Sequence, residues 1–296
     1  MSLTLITVNY NCADRTLALL RSLEKQTNQQ FSVIVVDNDS VPRDRELLGE
    51  YASASPLALD VIYSAQNRGF SGGNNLALRK ALASGAVWTL LINPDTEVGP
   101  EFVQQILALD VEPVMWGIPL MEGERTAFAG RVRWLRATLP HLYSWPVFRH
   151  ALEDPLYPIG GAMLVHRDAW EKLGLMDERY FLYFEDADLG MRARKLGVPV
   201  RFMRQPSVRH AVSASTSSLG APLLLHYHVR NALLFNREHG PLPARISLHF
   251  WAFFTMLKQL AKLATMPARR AHSRAILAGI TDFYAGRFGK ISAHRD

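Results

Sequence analysis

Three carboxylate side chains lie within four residues of one another, at Glu185, Asp186 and Asp188. They follow an aromatic-rich segment, 180–184, and clustered carboxylates repel unless a cation, a proton or a hydrogen-bond donor stabilises them. One of them can act as a general base that deprotonates an acceptor hydroxyl, a role that contributes roughly 10²–10⁴ in rate. The structural alternative is an acidic first turn of a helix, which the helix dipole favours.

A second acidic group, Asn93-Pro94-Asp95, follows the predicted strand 87–92. A carboxylate at a strand end can bind Mg²⁺ or Mn²⁺, and the metal can then bridge a diphosphate. Glu97 ranks below Asp95 for this role, and an ordinary Asn-Pro-Asp turn is the alternative. His210 follows the predicted strand 198–203, and its imidazole is either structural or completes a metal shell.

Further polar residues are suited to hold a nucleotide. Asp37 ends the predicted strand 31–36, where its carboxylate can accept a hydrogen bond from the imide N–H of uracil or thymine. The segment 67–75 is rich in glycine and opens a helix, so its backbone can approach an anionic ligand, although tight turns use the same residues. The candidate donor-binding residues are Asn9, Asp37, Asn67, Gly69, Asn74, Asp95 and Gly161.

The elements that position these residues alternate between strands and helices. Strands are predicted at 3–9, 31–36, 59–63 and 87–92, with helices after Asp14 as a cap, at 72–83, and at 100–109 with Pro100 at the start. This alternation predicts an α/β fold with a mostly parallel sheet and helices on both faces. Ligands bind at the carboxyl ends of such strands, and the polar clusters fall at those ends.

The remaining chain divides into an irregular part and a helical tail. We predict a hairpin around Gly130, a strand at 162–165 and a helix from Asp168, then an amphipathic helical tail from Pro241. The chain therefore divides into three parts, 1–115, 116–240 and the tail, 241–296.

The net charge of +6 is concentrated in the tail, which carries nine Lys or Arg and two Asp or Glu. This distribution argues against nucleic acid, which a uniformly basic domain would favour. Two interpretations of the tail remain open: contact with a membrane surface, or packing on the catalytic domain. The single cysteine, Cys12, and an N-terminus unlike a signal peptide favour a cytoplasmic location, with the inner face of the plasma membrane as an extension.

Five motifs in order resemble one known family. They are Val35-Val36-Asp37-Asn38, the Asn67–Asn75 segment, Asn93-Pro94-Asp95, Gly160-Gly161-Ala162 and Phe184-Glu185-Asp186-x-Asp188-Leu189. Together they resemble the family 2 glycosyltransferases of GT-A fold, specifically a bacterial rhamnosyltransferase-like branch. The resemblance covers about residues 3–240. It implies that 1–115 is the nucleotide-sugar-binding half and 116–240 the acceptor-binding and catalytic half of the same GT-A domain, followed by the basic amphipathic helical tail, 241–296.

The resemblance implies a role for each matching residue. Asp186 corresponds to the catalytic base, with Glu185 and Asp188 as acceptor-side support. Asp95 corresponds to the last carboxylate of an Asp-x-Asp metal motif, and His210 to a histidine that completes the metal site in some relatives. Asn93 stands where many members carry aspartate, which weakens the metal prediction.

The same resemblance implies the remaining contacts. Asp37 would contact the nucleobase, and Gly160 and Gly161 would let the sugar approach closely. Arg230 would meet a phosphate or an acceptor group.

The sequence therefore predicts an inverting glycosyltransferase that uses Mg²⁺ or Mn²⁺. The expected donor is a dTDP- or UDP-sugar, with L-rhamnose favoured, and the expected acceptor is a bacterial envelope glycan or a lipid-linked glycan. There are two alternatives: a sugar nucleotidyltransferase, which would carry a Gly- and Arg-containing loop after the first strand, and a non-catalytic nucleotide-sugar-binding module.

Overall fold

The computed structural model describes residues 2–109, 114–136, 138–145, 155–210 and 221–291. The first half of the chain alternates strands with helices. Its elements are β1 (Leu3–Asn9), α1 (Ala13–Glu24), β2 (Phe31–Asp37), α2 (Pro42–Ala54), β3 (Leu59–Tyr63), α3 (Gly69–Ala83), β4 (Trp88–Ile92), β5 (Thr96–Val98) and α4 (Phe102–Leu107).

Shorter strands follow, and then longer helices. These elements are β6 (Met115–Gly117), β7 (Leu120–Glu122), β8 (Arg125–Ala127), β9 (Ala129–Arg131), β10 (His141–Leu142), β11 (Leu156–Tyr157), β12 (Ala162–His166), α5 (Arg167–Leu173), α6 (Glu185–Lys195), β13 (Val200–Phe202), β14 (Val208–His210), α7 (Ala221–His239), α8 (Leu242–Thr265) and α9 (Arg270–Tyr284).

A seven-stranded sheet forms the centre of the fold, in the order β13-β6-β12-β4-β1-β2-β3. The run from β4 to β3 is parallel, whereas β12 pairs antiparallel with both β4 and β6. Along β1, Leu3 and Leu5 join one hydrophobic cluster and Ile6 joins the other, so both faces of the sheet are covered. The predicted α/β fold, with a mostly parallel sheet and helices on both faces, is confirmed.

Two small sheets and a helical group complete the structure. One sheet has the order β5-β14-β7-β8 and the other β10-β9-β11. Helices α7, α8 and α9 pack on one another, and residues of α7, α8 and α9 share a hydrophobic cluster with the aromatic segment before α6. This contact joins the C-terminal helices to the part of the chain that carries the acidic cluster.

Several local predictions need correction. The predicted hairpin around Gly130 is present as the antiparallel pair of β9 with β10, in which Gly130 lies opposite His141. Gly130 therefore lies in an arm of this hairpin, against Tyr157, whose ring atom Cζ would be 2.0 Å from an added Cβ. The turn of the neighbouring hairpin lies at Gly123, between β7 and β8, where φ is +62°. Asp14 does not cap α1, because Cys12 is the N-cap and Asp44 accepts the Ala13 N–H at 2.8 Å.

The helix boundaries also differ from the pattern. Helix α4 starts at Phe102, since Pro100 stays outside and its carbonyl accepts the Thr27 N–H at 2.8 Å. Helix α3 starts at Gly69, three residues earlier than predicted. Helix α2 was not predicted at all, because its polar sequence buries only Asp44 and Leu48.

Candidate active site

A cleft opens at the carboxyl ends of β1, β2 and β4. Its wall combines residues that follow these strands with the turn before β12 and the segment before α6. The lining residues are Val8, Tyr10, Cys12, Asn38, Asn67, Gly69, Phe70, Asn93, Pro94, Ile159, Gly160, Gly161, Phe181, Leu182, Tyr183, Glu185 and Asp186. The polar clusters that are far apart in the chain therefore meet at one edge of the sheet, as predicted.

Asp186 lies on the wall of this cleft, in the first turn of α6. Its two carboxylate oxygens are fixed by backbone donors: Gly160 N–H donates to Oδ2 at 2.9 Å and Ala187 N–H to Oδ1 at 2.7 Å. Burial raises the pKa of Asp186, while these two backbone donors and the charge of His141 oppose that rise. A carboxylate whose pKa is raised towards the working pH is a better proton acceptor for a hydroxyl.

The backbone before Asp186 is strained. Tyr183 and Phe184 both have left-handed conformations, with φ of +71° and +75°, and non-glycine residues rarely adopt them. The side-chain amide of Asn231, on α7, donates to the carbonyls of Leu182 at 2.8 Å and Tyr183 at 3.1 Å. Helix α7 thus holds the strained segment in the shape that aims Asp186 into the cleft.

Glu185 lines the cleft beside Asp186 but has a different electrostatic state. Its side chain is buried and its Oε2 has no hydrogen-bond partner among the described residues. Burial, followed by the charge of Asp186, raises the pKa of Glu185 well above the usual range. The neutral acid is therefore favoured, and a neutral acid can donate a hydrogen bond to a ligand.

Asp188 points away from the cleft. It pairs with Arg192 Nε at 2.8 Å and with His239 Nε2 at 2.7 Å, and only 2% of the residue is exposed. These contacts fix α6 against the end of α7, which satisfies a buried carboxylate. The structure gives Asp188 a supporting position and does not bring it to the acceptor side as predicted.

Asp95, which follows β4, and His210, which ends β14, lie beside each other in a hollow next to the cleft. Antiparallel pairing of β14 with β5 sets His210 opposite Thr96, and His210 Nε2 lies 3.3 Å from Asp95 Oδ1. That oxygen is buried and has no hydrogen-bond partner among the residues that the structure describes. The two residues line a hollow next to the cleft, together with Glu97.

This pair fits a divalent cation whose remaining ligands come from substrate and water. A buried carboxylate oxygen that faces an imidazole nitrogen is a suitable pair of metal ligands. Within the described part of the chain there is no group of three or more His, Cys, Asp or Glu placed to bind a metal, so substrate and water would have to complete the shell. Mg²⁺ often uses one or two carboxylates plus phosphate oxygens and water.

The glycine pair before β12 links the two acidic positions. Gly160 donates its N–H to Asp186, and the Gly161 carbonyl accepts the Asn93 N–H at 3.0 Å. A side chain would be crowded at both positions: an added Cβ at Gly161 would lie 2.6 Å from Leu120 Cδ1, so Leu120 would have to move, and one at Gly160 would lie 3.3 Å from the Asp186 side chain. One turn therefore joins the base side of the cleft to the Asn93-Pro94-Asp95 segment.

Some predicted donor-side residues lie in the wall and others lie behind it. Asn67 and Gly69 line the cleft, and Gly69 (φ +70°) leaves no room for a side chain because an added Cβ would be 2.1 Å from the Phe181 carbonyl. Asn74 does not line the cleft and donates to the Phe70 carbonyl at 2.9 Å.

Asn9 and Asp37 form a buried network below the cleft. Asn9 Nδ2 donates to Asp37 Oδ1 at 3.2 Å and to Ser40 Oγ at 3.0 Å, and both Asn9 and Asp37 are fully buried. Arg45 Nε lies 3.5 Å from Asp37 Oδ2. These residues shape the loop after β2, and Asn38, next to Asp37, is the one that reaches the cleft.

Arg230 does not reach the cleft, contrary to its predicted acceptor role. Only 1% of it is exposed, and its guanidinium donates to Gly289 O at 2.8 Å and to Asn231 Oδ1 at 3.1 Å. The arginine thus ties the segment after α9 to α7. Its neighbour Asn231 is the residue of this motif that supports the cleft.

A second group of residues near the site, around Glu122, has no recognisable motif in the sequence. Glu122 on β7 lies 3.8 Å from His210 Nδ1 and 3.6 Å from His141 Nδ1, and it accepts a hydrogen bond from Tyr143 at 2.8 Å. Its two histidine neighbours come from the short strands β10 and β14, and Tyr143 directly follows β10. Glu122 thus lies between His210 and His141, and the charge of His141 lowers the pKa of Asp186.

Comparisons with known proteins show which family the chain resembles. A family model described as "Glycosyl transferase family 2" matches residues 4–174. The dTDP-rhamnosyl transferase RfbF of Shigella flexneri is 22% identical over 304 residues, covering 95% of this chain and 96% of that protein. The N-acetylglucosaminyl-diphospho-decaprenol L-rhamnosyltransferase of Mycobacterium tuberculosis is 26% identical over 266 residues, covering 80% and 85%.

A third relative is matched over a shorter part of its length. The low-salt glycan biosynthesis hexosyltransferase Agl10 of Haloferax volcanii is 26% identical over 212 residues, covering 67% of this chain. The chain spans only 63% of the length of Agl10.

Solved structures share the fold at low sequence identity. The mannosyltransferase PcManGT from Pyrobaculum calidifontis, in complex with GDP-Man and Mn²⁺, has a TM-score of 0.57 at 15% identity, covering 96% of this chain and 87% of that chain. S. aureus TarS in complex with UDP-GlcNAc has a TM-score of 0.55 at 16% identity, covering 99% and 94%.

The fold and the cleft together define a glycosyltransferase of GT-A fold. Since the family model covers more than half of the chain, the protein belongs to glycosyl transferase family 2. The predicted family and the predicted enzyme class are confirmed.

Proposed function

We propose that the protein transfers L-rhamnose from dTDP-rhamnose to a hydroxyl of a bacterial envelope glycan or lipid-linked glycan, with inversion at the anomeric carbon. The choice of sugar is supported by the names of two relatives, a dTDP-rhamnosyl transferase and an L-rhamnosyltransferase. The choice of acceptor is supported by the second name, which includes a diphospho-decaprenol carrier.

One observation carries the proposed chemistry: the turn at Gly160 and Gly161 contacts both Asp186 and the Asn93-Pro94-Asp95 segment. A donor sugar lying against this turn would have Asp186 on one side and its diphosphate near Asp95 on the other. This arrangement suits a single in-line displacement, which needs a base and a leaving-group site on opposite faces of the sugar.

Asp186 removes the proton from the acceptor hydroxyl as that oxygen attacks the anomeric carbon. The bond from that carbon to the diphosphate oxygen breaks with its electron pair, and the nucleoside diphosphate leaves from the opposite face. The backbone donors on Asp186 keep the base in place throughout. Neutral Glu185 is positioned to donate a hydrogen bond to acceptor or sugar.

Asp95 and His210 are the residues that would hold a divalent cation. When bound, Mg²⁺ or Mn²⁺ would neutralise the charge that develops on the leaving diphosphate. Asn67, Gly69 and Gly161 line the cleft, so they are the proposed donor contacts. Asn9, Asp37 and Asn74 would act through the loops that they stabilise.

A transfer assay with a panel of nucleotide sugars tests this proposal. The full chain, Mn²⁺, each donor and a lipid-linked acceptor analogue are combined, and release of nucleoside diphosphate and glycosylated product are measured. We expect dTDP-L-rhamnose to be the preferred donor and the product NMR spectrum to report an inverted anomeric configuration. Preference for another sugar would refute the rhamnosyl assignment, and a retained configuration would refute the single displacement.

A further inference from the structure

Helix α8 carries a row of large apolar side chains that face away from the protein. We call this row the α8 stripe. Its members are Leu242 (69% exposed), Ile246 (51%), Phe250 (63%), Phe253 (56%), Phe254 (64%), Leu257 (49%) and Leu260 (51%). Steps of three or four residues place them on one face of the helix.

The opposite face of α8 provides the packing contact. Ala244, Leu248, Ala252 and Gln259 are the buried residues of the helix. Two of these four are alanines, so small side chains face the protein while most of the large ones face out. This is the reverse of what burial of apolar area favours for a helix that only packs on its own domain.

An exposed apolar row of this size marks a contact surface. The described residues include no helix that is both long and apolar enough to cross a membrane. The stripe can therefore rest on a surface, with the helix axis parallel to it, as in interfacial amphipathic helices.

The charges around the stripe select the partner. Residues 241–281 contain six Lys or Arg and no Asp or Glu. Helical spacing places Arg245 on one side of the stripe and Lys258 on the other. A second copy of the chain would bring the same positive charges into contact, which opposes association through this face.

We propose that the α8 stripe binds an anionic lipid bilayer, with the flanking cations on the phosphate headgroups. The aromatic and aliphatic side chains enter the boundary between headgroups and acyl chains, and Lys and Arg attract the negative surface. Helix α8 then does both things that the sequence allows for the tail: one face packs on the catalytic domain and the other faces lipid. Lipid binding by this surface is separate from the transfer reaction, and it would concentrate the enzyme at the membrane, where a lipid-linked acceptor is found.

Vesicle co-sedimentation of the full chain tests the proposal. The lipids are phosphatidylcholine alone and phosphatidylcholine with about 30% phosphatidylglycerol, which supplies the negative surface potential. The test protein combines Phe250→Ser with Phe254→Ser. The matched control combines Leu135→Ser with Leu196→Ser, which removes two equally exposed apolar side chains outside the stripe (73% and 52% exposed).

We expect the wild-type chain and the control to bind the anionic vesicles, more weakly at about 0.5 M NaCl because salt screens the charges. The Phe250/Phe254 variant should bind the vesicles at least about tenfold more weakly than wild type, because binding scales with the apolar area inserted. Thermal unfolding confirms that all three proteins are folded.

Three results would overturn the proposal. The wild-type chain could fail to bind anionic vesicles at low salt, or the variant could bind as well as the control. Sedimentation could instead report a dimer that only the variant dissociates, in which case a second copy covers the stripe. Donor turnover with a water-soluble acceptor is measured in parallel: its absence in all proteins would refute the proposed function and leave the vesicle result standing.

Discussion

Replacing Asp186 with Asn removes the proposed base while nearly preserving its shape. The side-chain carbonyl of Asn can accept only one of the two hydrogen bonds that Gly160 and Ala187 now donate. One buried N–H then lacks its acceptor, at a cost of about 1–3 kcal/mol, partly offset because a buried charge is also lost. The variant should therefore stay folded, with a Tm lower by about 2–12 °C.

The expected loss of catalysis in Asp186→Asn is larger than its loss of stability, and the two can be measured separately. Losing a general base costs about 10²–10⁴ in kcat, equivalent to about 2.7–5.4 kcal/mol at 1.36 kcal/mol for each factor of ten. The donor affinity should be nearly unchanged, because no donor contact is proposed for the Asp186 carboxylate. Nucleoside diphosphate release in the presence of acceptor gives kcat, and calorimetry gives the donor Kd.

Glu185→Gln is the matched control for this variant. Glu185 lines the same cleft and burial raises its pKa, which favours the uncharged form, so a neutral amide of the same size should keep kcat within about tenfold of wild type. If Asp186→Asn were folded, bound donor normally and still turned over within about tenfold of wild type, Asp186 would not be the base.

Three further predictions follow from contacts elsewhere in the structure. His210→Ala should weaken Mn²⁺ binding in the presence of dTDP by at least about tenfold, measured by EPR, and an unchanged affinity would place the metal elsewhere. Glu185→Gln should gain stability relative to wild type as the pH rises. Because the Glu185 pKa is raised in the folded protein, protonated Glu185 stabilises the fold fully at pH values below its ordinary pKa of 4.5, and this contribution is lost as the pH rises through the pKa of the folded state. If the free energies of unfolding of wild type and variant changed in parallel with pH, this prediction would be wrong. Arg230→Met should lower the free energy of unfolding by about 1–3 kcal/mol, because the Gly289 carbonyl loses its donor, with no change in acceptor KM. A raised acceptor KM at unchanged stability would restore the binding role that the sequence predicted for Arg230.

The central part of the fold was predictable because its signals are local. The strands β1 and β4 are almost entirely apolar apart from threonines, and each leads into a polar cluster at its carboxyl end. Helix α3 was recognised for the same reason, through its glycine-rich start and apolar periodicity. The convergence of these clusters follows from parallel pairing, which places all the carboxyl ends at one edge.

The residues that were misjudged depend on contacts distant in sequence. Asp188 belongs to the acidic motif, but its partner His239 lies 51 residues later at the end of α7. Arg230 belongs to a recognisable motif, yet the orientation of its guanidinium is set by a backbone carbonyl after α9, that of Gly289. Glu122 and His141 lie on strands too short for a periodic pattern, so only tertiary structure brings them beside His210.

The most direct test of the central claim is an anomalous diffraction map from a crystal grown with dTDP and Mn²⁺. We predict a manganese peak between Asp95 and His210, with the diphosphate against it and Asp186 across the cleft beyond the glycine turn. A manganese peak at other residues, or a nucleotide bound outside this cleft, would contradict the account.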